Sequence, residues 1–256
     1  MLLDVRDLCR SFGGYQAVSE VSMSVHQGTI HAIIGPNGAG KTTLFNLVSG
    51  VLPPTSGAVS LDGQPLTGLR PDRIARMGLV RTFQGVRLFG AMTVLENVQT
   101  GCHIRTASDL TAMFLRLPGR ESKQETATRE RAMALLEMVG LARQHGSVAS
   151  DLALADQRRL EIARALAAEP RLLLLDEPVA GMNPVEVNEA AQLIRRIRES
   201  GVTVLLTEHH MSLVMKISDQ ITVLNYGRKI AEGTAQQVRE DPLVLEAYLG
   251  AEEEAH

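Results

Sequence analysis

The spacing of apolar and polar positions changes several times along the 256-residue chain, and each change marks an element. Val21, Met23 and Val25 alternate with Ser22 and Ser24, the period-two pattern of a half-buried strand, and Gln27-Gly28 supplies a turn signal after it. The first 30 residues read as strands. Thr29-Ile30-His31-Ala32-Ile33-Ile34 is a short β-rich run, and Thr43-Leu44-Phe45-Asn46-Leu47-Val48 has helical character. Pro53, Pro54, Ser56 and Gly57 punctuate a loop, followed by Ala58 to Leu61 and the turn pair Asp62-Gly63. From about residue 85 to 165 the chain reads mostly as helix. Gly119 to Arg131, polar and charged, reads there as a solvated helix face or a loop. Residues 172 to 231 return to strand-helix-strand order. Their helix is bounded by Asn183 as N-cap, Pro184 in the first turn and Gly201 at the end, with Leu193, Ile194 and Ile197 on one face. No internal repeat or low-complexity segment is visible, and Glu252-Glu253-Glu254 reads as a frayed, solvated end.

Composition narrows the class. Apolar residues make up 45% and charged residues 21%, the balance of an ordinary globular protein. With no Trp, five Phe and three Tyr, the core must be mainly aliphatic. A net charge of −3 gives no global drive toward nucleic acid. Cys9 and Cys102 lack metal-ligand spacing and read as free thiols in a reducing compartment. Met1 to Asp7 carries charge where a signal peptide is apolar, so no targeting segment is expected. The apolar runs Leu172 to Leu175 and Val202 to Leu206 are far shorter than the roughly 20 residues that span a bilayer. The expectation is a soluble protein, or one that touches a membrane only through a partner.

Gly35-Pro36-Asn37-Gly38-Ala39-Gly40-Lys41-Thr42-Thr43 carries the chemistry. It completes the spacing G-x-x-x-x-G-K-T between a strand and a helix, the context a phosphate-binding P-loop needs. Glycines permit backbone shapes and close approaches that a Cβ blocks. Several N–H groups can then point at one phosphate, reinforced by the positive end of the following helix. Lys41 can reach the outer phosphates and the Thr42 hydroxyl can ligate Mg²⁺, so a nucleoside triphosphate is the expected ligand.

Leu172-Leu173-Leu174-Leu175-Asp176-Glu177-Pro178 reads as a buried parallel strand ending in two carboxylates, and ligands of open α/β sheets sit at that end of the strands. Asp176 is placed to hold Mg²⁺ through its water shell. Glu177, expected on the other side of the pleat end, suits polarising a water against the γ-phosphate.

With these two motifs and the helical region between them, the chain resembles the ATP-binding subunit of ABC transporters over essentially its whole length. The resemblance implies an α/β fold: a P-loop ABC ATPase core, a mixed sheet with flanking helices, plus an N-terminal antiparallel β subdomain and a helical subdomain. Residues 1–84 and 167–256 would form the nucleotide-binding core and residues 85–166 the helical subdomain, ending in the signature helix. Gln84 in Arg81-Thr82-Phe83-Gln84 resembles the Q-loop glutamine that touches Mg²⁺ and the attacking water. His209 in Leu206-Thr207-Glu208-His209 resembles the switch histidine on the γ-phosphate. Phe12 resembles the aromatic that stacks on adenine, with Tyr15 as the alternative and a packing role also open. Ala180-Gly181-Met182-Asn183 falls where the D-loop belongs.

The segments Arg81-Thr82-Phe83-Gln84, Arg87-Leu88-Phe89, Met92 to Val98, Gln157 to Leu166 and Ala247-Tyr248-Leu249-Gly250 closely resemble the branched-chain amino-acid transporter branch, and within it the larger of two paired ATPase subunits. Relatives handling urea, amides or lipopolysaccharide share parts of these motifs. The resemblance implies ATP and Mg²⁺ as ligands, integral membrane permease subunits and a second ATPase subunit as partners, and an extracytoplasmic solute-binding protein acting indirectly. It places the chain on the cytoplasmic face of the cell membrane, held there by the permease, with no nucleic acid involved. One motif departs. The signature expected as L-S-G-G-Q reads Leu152-Ala153-Leu154-Ala155-Asp156, which removes a hydroxyl and replaces a glycine that the branch usually keeps. Two rivals follow: a soluble ABC protein acting on ribosomes or DNA, which would carry a second cassette or a coiled coil, and a nucleotide-binding regulator with little hydrolysis.

Overall fold

The strands fall into two sheets in a computed structural model that describes residues 1–83, 85–106 and 120–253. β1 (Leu3–Phe12) and β2 (Tyr15–Val25) form an antiparallel hairpin. β3 (Ile30–Ile34) leaves for the second sheet, and β4 (Ser56–Leu61) with β5 (Gln64–Pro65) completes the first in the order β2-β1-β4-β5. Val21, Met23 and Val25 are buried and Ser22 and Ser24 only partly so, as the alternation predicts. β4 begins at Ser56 rather than Ala58. The loop signal at Ser56-Gly57 is a register shift within the β1–β4 ladder, where a local irregularity takes the place of a loop.

The second sheet adds β6 (Leu79–Arg81), β7 (Leu172–Asp176), β8 (Thr203–Thr207), β9 (Gln220–Asn225) and β10 (Arg228–Gly233), ordered β10-β9-β3-β8-β7-β6. All neighbours are parallel except β9–β10, a hairpin turning at Tyr226-Gly227. β3, β7 and β8 are buried at every position. A strand covered on both faces has no polar side to alternate with, which is why Leu172–Leu175 reads as an unbroken apolar run.

In chain order the helices are α1 (Lys41–Val48), α2 (Pro71–Arg76), α3 (Val94–Thr106), α4 (Arg120–Val139), α5 (Leu154–Leu166), α6 (Pro184–Glu199), α7 (Met211–Ile217), α8 (Ala235–Glu240) and α9 (Pro242–Glu253). Asn183 caps α6 as expected, accepting from the N–H groups of Val185 and Glu186. Glu186 returns the bond to the Asn183 N–H, a capping box that the sequence reading passed over.

The chain divides into two compact units, residues 1–81 with 171–256 and residues 82–170. The first holds both sheets. Its aliphatic core joins Leu3, Val5 and Val21 of the antiparallel sheet, Leu44 and Phe45 of α1, and Leu174 of β7. In the second, α3, α4 and α5 pack on one another through Val98, Leu136, Leu160 and other fully buried side chains. The polar stretch ending at Arg131 is helical from Arg120, with Glu125, Arg129 and Glu130 exposed. Gly119 and Glu254 lie outside the described residues. Among the described residues no helix is long and apolar enough to cross a membrane.

Candidate nucleotide site

β3 delivers its chain end into the loop Gly35–Gly40, and α1 begins at Lys41. Two glycines make this passage possible. A Cβ on Gly35 would lie 2.1 Å from the carbonyl oxygen of Leu224 in β9, and one on Gly40 (φ 97°) would lie 2.6 Å from that of Ala17. The loop closes on itself where the Ala39 N–H donates to the Pro36 carbonyl at 3.2 Å. The Gly227 N–H of the β9–β10 turn donates to the Ala39 carbonyl at 3.1 Å. Gly40 offers α1 no side-chain cap and the first turn has no acidic residue, so no side chain offsets the positive end of the helix there. Pro36 is half-buried; Asn37, Gly38 and the Thr42 hydroxyl-bearing side chain face solvent, and Thr43 is half-buried.

Lys41 is buried and folds back over this loop, donating to the carbonyls of Gly35 (2.6 Å) and Pro36 (2.9 Å). Burial holds its pKa below the ordinary lysine value, against the opposing pull of the Glu177 and Asp176 carboxylates. Those two acids stand at the end of β7. Asp176 is 1% exposed and accepts from Arg81 Nη2 at Oδ2 and from the Thr207 hydroxyl at Oδ1, both at 2.7 Å. Glu177 lies one residue past the strand with φ 48°. Its direction is thus set by a left-handed turn rather than by the alternation of the strand. Its N–H donates to the Thr207 carbonyl at 3.1 Å, and its Oε1 lies 3.8 Å from Nδ1 of His209.

His209 is well exposed, while the neighbouring Glu208 is wholly buried. Glu208 accepts the N–H groups of Val179 (3.1 Å), His209 (3.2 Å) and His210 (3.4 Å), which ties the turn after Glu177 to the turn carrying His209. Burial raises its pKa, with those N–H groups pulling the other way. The stretch Ala180-Gly181-Met182 turns back on the residues before it, Ala180 N–H donating to the Glu177 carbonyl and Met182 N–H to that of Val179. Phe12 and Tyr15 pair across the tip of the β1–β2 hairpin, both exposed, and the Arg10 guanidinium lies 4.6 Å over the Phe12 ring.

A model of the ABC transporter family matches residues 18–180, and one for the branched-chain amino acid ATP-binding cassette transporter matches residues 228–254. Over 250 residues the chain is 47% identical to the high-affinity branched-chain amino acid transport ATP-binding protein LivG of Escherichia coli, covering 97% of this chain and 98% of LivG. The chain belongs to the ABC transporter ATP-binding family. The corresponding protein BraF of Pseudomonas aeruginosa is 46% identical over 251 residues, 97% of this chain and 98% of BraF. A crystal structure of the ADP conformation of MJ1267, an ATP-binding cassette of an ABC transporter, matches with a TM-score of 0.84 at 32% identity, covering 97% of this chain and 98% of that one. The expected α/β ABC ATPase fold and the branched-chain branch both stand.

The stretch Leu152–Asp156, read from the sequence as the signature, lies in the second unit. Leu152 is buried, and Ala153 is the N-cap of α5, extended and without any side-chain hydrogen bond, because alanine has no oxygen to give. Leu154 is exposed, whereas Ala155 is buried in the first helical turn, outside the left-handed region. Alanine therefore strains nothing at this position. Asp156 occupies the same turn and engages Arg159 (3.4 Å) and Gln144 (3.3 Å), which offsets a charge that would otherwise oppose an anion at the helix start. Gln84 lies outside the described residues.

Sequence reasoning missed four residues that position others: Arg81, Thr207, Glu208 and Asn97. Asn97, fully buried, accepts the Phe89 N–H at 2.9 Å and donates to the carbonyls of Phe89 and Thr93, so it shapes the exposed segment around Phe89 and Met92. A polar side chain inside an otherwise apolar helical stripe was the available signal for Asn97. Arg81 and Thr207 meet their partners on other strands or helices, and Glu208 meets Val179 in the turn that follows β7.

Proposed function

We propose that this cassette hydrolyses ATP to drive import of branched-chain or related amino acids, as one of two paired ATPase subunits held to the cytoplasmic membrane face by integral permease subunits. The observation that carries the reading is the Lys41 ammonium, buried within a glycine loop and under the electrostatic influence of Asp176 and Glu177. The names of LivG and BraF supply the solute class.

The triphosphate lies along the N–H groups of Gly35–Thr43, with Lys41 exchanging its bonds to Gly35 and Pro36 for phosphate oxygens. Adenine stacks at the hairpin tip on Phe12, or on Tyr15. Among the described residues no three His, Cys, Asp or Glu side chains converge, so a divalent cation here takes most of its ligands from phosphate and water. The exposed Thr42 hydroxyl and the Asp176 carboxylate suit that role, with Gln84 as the third contributor. Mg²⁺, when bound, offsets charge on the outer phosphates. Glu177 orients and deprotonates the attacking water, and His209, next to it, contacts the γ-phosphate.

Two cassettes close head-to-tail, with Leu152-Ala153-Leu154-Ala155-Asp156 of one presented to the nucleotide on the other. A dimeric structure of MJ0796, a bacterial ABC transporter cassette, is 25% identical with a TM-score of 0.77. Exposed Phe89 and Met92, braced by Asn97, form the surface for a permease helix. A solute-binding protein outside the membrane selects the solute, and no nucleic acid takes part. A second reading, a regulatory subunit with little hydrolysis, is favoured only by the uncapped Ala153.

Proteoliposomes containing the cassette, its permease and its sister ATPase test the reading. ATP-dependent leucine, isoleucine or valine uptake is expected, and Glu177→Gln should stop it. Turnover stimulated by urea or short amides but by none of the three amino acids would reassign the solute, and uptake surviving Glu177→Gln would remove the water-activating role.

A further inference from the structure

Asp176 is not a free carboxylate at a strand end. Each of its oxygens is held by a different element: Oδ1 by the Thr207 hydroxyl of β8, Oδ2 by the Arg81 guanidinium of β6. The same guanidinium reaches past the acid. Arg81 Nη1 donates to Asn46 Oδ1 of α1 at 2.7 Å and to the hydroxyl of Ser49, the C-cap of α1, at 3.0 Å, and the group lies 5.6 Å from the centre of the Phe45 ring. One planar group thus ties β7 to the helix that begins with Lys41 and Thr42.

We propose that Arg81 is a positioning residue: it clamps Asp176 to the P-loop helix and so fixes the distance between the carboxylate and Thr42 at which a divalent cation is held. Burying an ion pair (side chains 7% and 1% exposed) is costly, and apolar residues of similar volume would serve stability as well. The pair therefore calls for a purpose beyond packing. A ligand carboxylate free to turn loses orientation each time it binds, and the groups that brace it commonly govern metal affinity. Lysine cannot substitute, because the clamp needs donors pointing two ways from one rigid plane. The proposal rests on Asp176 as a cation-holding residue.

The experiment measures binding of a fluorescent ATP analogue to the full chain in excess MgCl₂ and in EDTA; the ratio is the metal contribution. Asp176→Asn should remove that contribution. Arg81→Lys should reduce it about tenfold, and Asn46→Ala, which leaves the ion pair intact, about threefold, while EDTA affinities stay within about twofold of wild type. The Asn46 variant decides the matter if Arg81→Lys does not fold. A wild-type metal contribution in both clamp variants, with Asp176→Asn defective, overturns the proposal alone. So does a loss that is equal with and without metal, which marks Arg81 as structural only. An unaffected Asp176→Asn overturns the cation reading of Asp176 and the clamp with it.

Discussion

The ammonium of Lys41 sits 2.6 Å from the carbonyl of Gly35, so the lysine is bonded to the very loop it must share with phosphate. On the proposed function, phosphate oxygens take the place of those carbonyls and bring a full opposite charge to the ammonium. Without ligand, the charge is buried at a cost reflected in its lowered pKa.

Lys41→Met should therefore separate binding from stability. Nucleotide affinity is expected to fall by more than about tenfold, each tenfold corresponding to about 1.4 kcal/mol. The melting temperature without nucleotide should hold or rise. Thermal-shift curves with and without ATP check both halves; a drop in the ligand-free melting temperature would mean the ammonium stabilises the empty fold.

Glu177→Gln keeps the shape of the side chain at its left-handed position while removing its basicity. ATP affinity should stay near wild type and turnover fall by roughly a thousandfold, within the range a positioned base contributes. Equilibrium binding and phosphate release, measured on one preparation, report the two quantities. Retained turnover would transfer the role to another group.

Glu208→Gln turns one of two accepting oxygens into a donor facing N–H groups. Leaving those groups unmet should cost about 1–3 kcal/mol in unfolding free energy. Because Val179, His209 and His210 share this acid, turnover should fall further than ATP affinity. Equal losses in both would show that the residue only supports the fold.

His31 lies buried in β3 against the Thr222 hydroxyl (2.8 Å), and burial lowers its pKa to about 4, with His26 and Lys229 adding to the shift. The unfolded chain binds this proton near pH 6.5 and the folded chain only near pH 4. Its stabilising effect is complete above pH 6.5 and is lost as pH falls, by about 2 kcal/mol at pH 5. His31→Gln keeps a partner for Thr222 and cannot titrate. Urea midpoints at pH 7 and pH 5 should differ less in the variant than in the wild type.

Ala155→Gly tests whether the two composite sites of a mixed pair are unequal. If the missing glycine limits approach to the partner's phosphate, the isolated chain should gain about tenfold in turnover, or about 1.4 kcal/mol of transition-state stabilisation. Paired with a sister ATPase bearing a glycine there, the gain should shrink, because the better site does not use Ala155. No gain in the isolated chain would make the alanine a neutral replacement, consistent with its unstrained helical backbone.

What the sequence disclosed was whatever its local pattern encodes. Gly35–Thr43 declares its loop through residues that only glycine can be, and Leu172–Asp176 declares its strand through the lack of polar alternation. Asn183 declares a helix start. Arg81 reads as a residue in a short motif until β6 sets it beside β7, and the roles of Thr207 and Glu208 depend equally on sheet register. At Glu177 the strand pattern runs out, and the turn that aims it is a backbone conformation with no compositional mark. The departure at Ala155 was legible, yet its lack of strain became visible only once the helix was seen to start at Leu154.

The strand that carries the chain into the phosphate loop has a consequence for synthesis. β3 has β8 and β9 for neighbours: Ile30 pairs with Val204, and His31 with Gln220. During synthesis the loop emerges well before the strands that brace it, Thr203–Thr207 and Gln220–Asn225. Such distant pairings form slowly, since the intervening chain must first be closed into a loop. Residues 82–170 are complete well before that moment and can fold while β3 waits. On the proposed function, nucleotide-dependent protection from protease should first appear when β9 has joined the sheet.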